Sequence, residues 1–395
     1  MRIHAGQHGA GTRRREAGRA FTLTELLIVI AILAVVVLVG LPAFASMLRG
    51  SERTLAENQL RSGMQAAQTA AVGRGGADTA AVFFYEPGAF ENGGRTSILP
   101  CEFVGRIIDT DALGNDVERD VFAPFGGAEP VQLPPGWMVR GFAAPSLIHD
   151  QVANPNGWYE PTANRIVNPK GGWVFPETAF YDQDPVTGLH ANDTDLVGSV
   201  TARQTFMVRF EGGSGVVKSN NPGPVVVIAP RPASTGAATR APGAVNLWRR
   251  PDLADKGLSK WARAVINRPI GTQSPGSPPM SDAFRRQLIG DESGDTVLAC
   301  SVDVTALYNE SKLAEGLLTS GLNKSTGSLY AKPGLNSVPL LDSTLWTTGF
   351  SAQTAGTDID NWIMGKLQRN GQYVESDAMI FAFDRLSAKP REIKP

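Results

Sequence analysis

The residues that most often carry chemistry are scarce in this sequence. It has 2 cysteines and 4 histidines in 395 residues. Two cysteines cannot build a disulfide-rich scaffold or a four-thiolate zinc site. The formal net charge is −1, from 37 basic and 38 acidic side chains, so no basic excess marks a nucleic-acid-binding surface. No GxSxG elbow, P-loop, HExxH or dinucleotide fingerprint stands in a credible setting, and nothing in the sequence argues for an enzyme. Low hydrophobicity is also lacking: 42% of the residues are apolar, too many for a disordered chain and enough for a real core. Glycine (43) and proline (27) are in excess instead, which predicts many turns.

The amino terminus departs from these averages. Residues 1–20 carry five arginines against the single acid Glu16. From Leu26 to Leu48 there follow 23 residues without a charge. As a helix these would span about 34 Å, against a hydrocarbon core of about 30 Å. The basic flank places the amino terminus on the cytoplasmic side. The same pattern suits a cleaved export signal ending at Ala43-Phe44-Ala45, or a plain anchor. In that alternative the chain is an exported or anchored binding protein or enzyme that uses residues 1–45 only for delivery. One residue argues against it: Glu25 is a carboxylate at the edge of the apolar run, costly there unless it has a partner.

Phe21-Thr22-Leu23-Thr24-Glu25-Leu26-Leu27 resembles the amino terminus of type IV pilins and pseudopilins. The resemblance implies cleavage by a prepilin peptidase between Ala20 and Phe21, then N-methylation of Phe21. Counting from Phe21, Glu25 falls at the family's fifth position and Pro42 at its helix-kinking proline. Ala20 stands where the family usually has glycine, and Thr24 where it usually has an aliphatic residue. The resemblance implies that Glu25 pairs with the new amine of Phe21, on its own or a neighbouring chain, and so sets the register of assembly. Leaving either charge unpaired in an apolar core would cost several kcal/mol. The implied partners are other pilin or pseudopilin subunits, the prepilin peptidase, an inner-membrane assembly platform and the lipid bilayer, with no nucleic acid. The implied location is the bacterial inner membrane, single-pass with an extracytoplasmic head, and then a filament of type II secretion, a type IV pilus or DNA uptake.

The expected organisation is a leader over 1–20, a helix over 21–72 that is transmembrane at about 23–45, a β-rich head over 73–230, and a C-terminal elaboration or small second lobe over 231–395. The fold class expected is thus α+β, a long, partly transmembrane helix packed on a pilin-like β-rich head. Leu55, Leu60, Met64, Ala67 and Ala71 form the apolar stripe that would meet the head. Leu55–Tyr85, Val131–Phe142 and Gln204–Val217 resemble pieces of the H-type minor pseudopilins and FimT-like minor pilins. Strands are expected at 79–85, 98–108, 131–142, 172–175, 204–210, 214–218, 224–229 and 378–383, and helices at 246–267, 281–288 and 305–318. Residues 230–243 have linker composition.

Cys101 and Cys300 could close one disulfide across the head or remain two buried thiols. Asp109–Asp120 partly resembles a twelve-residue calcium loop, with Asp109, Asp111 and Asp120 as candidate ligands, but Leu113 replaces the ligand at position 5. Solvated loop acids are the plainer reading, and no other cofactor is implied. His149 and His190 are isolated, as expected of structural or surface residues.

Overall fold

The computed structural model describes residues 23–73, 76–86, 88, 93–110, 116–125, 129–143, 172–176, 204–218, 225–228, 258–273, 276, 279–286, 296–330, 341–347, 349–383 and 390–393. The chain divides into two compact units, residues 1–53 and 54–395.

Helix α1 covers Leu23–Gly73, 51 residues. Its later part, within the second unit, buries Ala56, Leu60, Met64, Ala67 and Ala71, spaced three to four apart as one helical face requires. The expected stripe is therefore present with one change: Leu55 is 48% exposed and Ala56 takes the inward place. Gly63 lies on this face because a Cβ there would come within 2.9 Å of the Ile98 side chain. The helix ends against the head: Thr79 donates its hydroxyl to the Ala67 carbonyl at 2.7 Å, and the Gly213 amide donates to the Ala71 carbonyl at 2.9 Å.

The head begins with a barrel. Strands β1 (Thr79–Glu86), β2 (Arg95–Thr110), β3 (Asp116–Pro124), β4 (Val131–Gln132), β5 (Trp137–Ala143), β6 (Gly172–Val174), β7 (Gln204–Phe210), β8 (Val225–Ile228) and β9 (Thr296–Ser301) follow in chain order. Six of them pair in the order β1-β7-β9-β8-β3-β2, and β2 pairs back to β1, closing the ring. Closure depends on the length of β2. Arg95–Glu102 pairs with β1 and Cys101–Thr110 with β3, and the register shifts between Phe103 and Gly105. Gly105, at φ 146°, makes that bend, as β-bulge glycines do. The barrel interior is apolar, with Ala80, Val82, Phe84, Leu99, Cys101, Phe122, Met207, Val225, Val227, Val297 and Ala299 drawn from all six strands.

A second sheet has the order β14-β13-β10-β5-β6. It adds β10 (Val304–Asn309), β13 (Met379–Phe383) and β14 (Pro390–Ile393). One face, with Trp137, Val139, Leu307, Met379 and Phe381, joins α1 and the outside of the barrel in a single cluster. The other face, with Met138, Tyr308 and Ile380, packs on helices α3 (Glu310–Gly316) and α4 (Ala352–Ile363). Helix α2 (Leu258–Ile266) covers another side of the barrel through Leu258, Ala262, Val265 and Ile266. A two-stranded ribbon is formed by β11 (Gln368–Arg369) and β12 (Gln372–Tyr373).

This overturns the expected fold class. The head is a closed six-stranded barrel with a second sheet, not a pilin-like sheet carried on a helix. The cause is burial on both faces: every residue of β1 is buried, whereas an open sheet with one wet face would alternate. Among the described residues, no helix is long and apolar enough to cross a membrane. The span expected at about 23–45 includes side chains that lie outside the described residues.

Smaller corrections have local causes. The strand expected over 131–142 is broken into β4 and β5, with Pro134-Pro135-Gly136 between them, since proline lacks the N–H a strand interior needs. The segment expected to be helical over 305–318 starts as strand β10. Helix begins only at Glu310, where the Asn309 side chain accepts from the amides of Ser311 and Lys312. The expected strand at 214–218 is a turn with one bridge, Phe210 to Val217. The segment 231–395 supplies β9 to the barrel and β10, β13 and β14 to the second sheet. The linker at 230–243 and residues 246–257 lie outside the described residues. Of the helix expected at 281–288, residues 282–286 are helical and 287–288 lie outside.

Candidate functional site

The sequence points first to the start of α1. Ala20 and Phe21 lie outside the described residues, as does the Pro42 side chain. Glu25 stands in the first turn of the helix, where a carboxylate complements the positive helix end. Apolar side chains follow it into solvent: Leu23 is 80% exposed, Leu33 56% and Leu38 76%, and Leu26, Leu27, Ile28, Val29, Ile30 and Ile32 are exposed with them. Monomeric proteins rarely leave so continuous an apolar surface uncovered. The later part of the same helix buries its apolar side chains in the head core.

Two of the calcium candidates are engaged in ion pairs. Asp109 is fully buried and accepts from Arg119 Nε at 2.7 Å. Asp120 accepts from Arg106 Nε at 2.9 Å and pairs with Arg209 at 2.8 Å. Asp111 lies outside the described residues. Asp109 and Asp120 belong to paired strands, and opposite-charge pairs stabilise that kind of hairpin. The pairing extends to Asp78, which accepts from Arg209 Nη2 at 2.6 Å, Lys218 Nζ at 3.0 Å and the Gly212 amide at 3.0 Å. Burial alone would raise the Asp78 carboxyl; these donors hold it below the ordinary carboxylate range.

Cys101 and Cys300 are both free and buried. Cys101 faces the barrel interior, and Cys300 faces the outer cluster shared with α1. The barrel wall separates the two thiols, which decides between the alternatives left open by the sequence. Burial raises the pKa of both.

A charged network that no sequence motif marks lies on the far face of the second sheet. Arg140 is buried, donates from Nε to Tyr308 Oη and from Nη2 to Tyr330 Oη, each at 2.9 Å, and from Nη1 to the Trp173 carbonyl at 3.3 Å. Its guanidinium lies 5.0 Å from the Phe175 ring centre. Glu310 is fully buried and accepts from the Leu329 amide at 3.0 Å. Burial raises the Glu310 carboxyl, with Arg140 and that amide opposing. Asp360 accepts from the Trp173 amide at 3.1 Å, and burial pushes it up to about 6. These residues lie in distant parts of the sequence, so no motif could have revealed them. The network holds strands and loops together, and among the described residues no group of three or more His, Cys, Asp or Glu could hold a metal ion.

No family model, curated protein or solved structure gives a significant match to this chain.

Proposed function

We propose that the chain is a non-catalytic assembly subunit, a pilin- or pseudopilin-type protein in its amino terminus though not in its head. The leader over 1–20 is removed between Ala20 and Phe21. The new terminus and the apolar part of α1 then pack against the same helices of other subunits in a secretion- or pilus-type filament. The observation that carries this reading is the change of environment along one helix. The described apolar side chains of α1 between Leu23 and Leu38 are exposed, whereas Ala56, Leu60, Met64, Ala67 and Ala71 are buried. The exposed row is suited to a lipid surface at the inner membrane before assembly and to neighbouring helices after it. Glu25 meets the Phe21 amine across or within subunits, which selects one register because an offset would leave a charge unpaired in an apolar setting.

The reading rests on the amino-terminal motif and helix. The resemblance to H-type minor pseudopilins drew on the head and is not carried further, because the head is a closed barrel.

Cysteine cross-linking tests the proposal. Leu33→Cys, introduced in cells that carry the processing peptidase and assembly machinery, should give covalent dimers and higher species on mild oxidation. Adding Glu25→Ala should leave delivery intact and cut those species several-fold. A Leu33→Cys chain that stays monomeric would contradict the proposal.

A further inference from the structure

Strand β6 ends the second sheet on one side and has only three residues. Among the described residues its one strand neighbour is β5, with Gly141 opposite Val174, Phe142 opposite Trp173 and Ala143 opposite Gly172. Its middle residue is held in another way. The Trp173 amide donates to Asp360 Oδ1 on α4 at 3.1 Å, and the Trp173 carbonyl accepts from Arg140 Nη1 at 3.3 Å. Side chains of opposite charge take main-chain bonds that a further strand would supply in a wider sheet.

Ring contacts complete the attachment. Trp173 meets Phe142 edge-on at 5.3 Å. Phe175, just past the strand, stacks on Tyr330 at 4.0 Å and meets Tyr85 edge-on at 5.0 Å. Residues 172–175 therefore form a short strap along the edge of the sheet, fixed by aromatic contacts and a two-sided polar clamp. Segments with so few ladder bonds open locally before the whole fold does.

The two sides of the clamp respond differently to pH. Arg140 is buried and stays charged, with the Tyr308 and Tyr330 hydroxyls accepting from it and Glu310 acting on it through space. Asp360 is the side that titrates. Arg140, from β5, is the charge that acts on it; Tyr308 of β10, Glu310 of α3 and Tyr330 act on Arg140 in turn. On its own helix, Asp358 is paired with Arg369 at 2.8 Å. Burial costs the ionised Asp360 more than the Trp173 amide and Arg140 return, so its carboxyl is pushed up to about 6. Ionisation favours a state in which Asp360 meets water, and releasing Trp173 is the local route to it.

We propose that β6 is a pH-sensitive strap: Asp360 holds the Trp173 amide while protonated, and its ionisation shifts residues 172–175 toward an open state away from the sheet. The sign follows from linkage. Asp360 binds its proton more tightly in the closed strap than in the open one, so acid favours closure and the closed state loses ground as pH rises through about 6. With 3.8 for the open strap and about 6 for the closed one, the open fraction should be about tenfold greater at pH 7.5 than at pH 5. The inference concerns the head alone and stands whether or not the amino terminus assembles.

Hydrogen exchange of the full chain tests it, read by mass spectrometry on the peptide covering 172–175 with intrinsic rates divided out. A peptide from β1 reports opening of the whole fold. Protection of 172–175 should fall about tenfold from pH 5 to pH 7.5 and lie below that of β1 at both values. Asp360→Asn cannot ionise, so it should keep at pH 7.5 the protection that wild type shows at pH 5. Three results would overturn the proposal: equal protection of 172–175 at both pH values, protection equal to that of β1, or a tenfold fall that persists in Asp360→Asn. The first two are read on the wild-type chain and do not depend on how the variant folds.

Discussion

At the scale of single residues, the chain carries buried charge where its composition suggests little. Among the described residues, Arg140 has no carboxylate in direct contact; two tyrosine hydroxyls and a carbonyl accept its hydrogen bonds, while Glu310 acts on it through space. Replacing Arg140 by methionine would leave Glu310 uncompensated, so Arg140→Met should cost about 3–5 kcal/mol in urea unfolding. Arg140→Met combined with Glu310→Gln should recover part of that loss, which a purely steric defect would not. Asp360 gives a pH dependence of defined sign. Its carboxyl rises from 3.8 in the unfolded chain to about 6 in the fold. Its contribution is therefore fully present below 3.8 and lost as pH rises through about 6. Asp360→Asn keeps an oxygen acceptor for the Trp173 amide but cannot ionise. The variant should gain stability over wild type, by on the order of 1–3 kcal/mol, between pH 4 and pH 7.5. An unchanged difference across that range would place the titration elsewhere.

At the scale of elements, what could be read depended on whether a segment's pattern was local. The apolar runs of β1, β7 and β8 are legible as strands because both of their faces are buried, leaving no polar alternation to confuse them. The later part of α1 is legible from its spacing, with Ala56 in place of Leu55. Strand β3 escaped notice because Asp116–Asp120 resembles a solvated acidic loop; in the fold Arg119 and Asp120 find partners across and beside the strand. Barrel closure was not legible at all. It needs β9, from residues 296–301, to lie between β7 and β8, and nothing local to those segments specifies that neighbour. The same alternation across the barrel wall separates the thiols of Cys101 and Cys300. A thiol reagent should label neither cysteine in the native protein and both after denaturation, with no gain on adding a reductant. Rapid native labelling of either would contradict the barrel.

At the scale of the whole molecule, two kinds of information meet in one chain. The head is a closed barrel and second sheet whose topology no family resemblance anticipated. The amino terminus carries a short motif, Phe21–Leu27, whose proposed meaning is chemical rather than architectural: a bond to be cleaved before Phe21, a new amine, a carboxylate four residues on and an apolar row. Of the proposed site, Glu25 and the apolar row of α1 were legible because they are consecutive in sequence. The buried network was not, because its residues converge only through the fold. The most direct measurement is the mass of the mature amino terminus, taken from cells that carry a prepilin peptidase. A chain beginning at Phe21, with or without one added methyl group, is expected. A chain beginning at Ser46, or one retaining residues 1–20, would contradict that expectation.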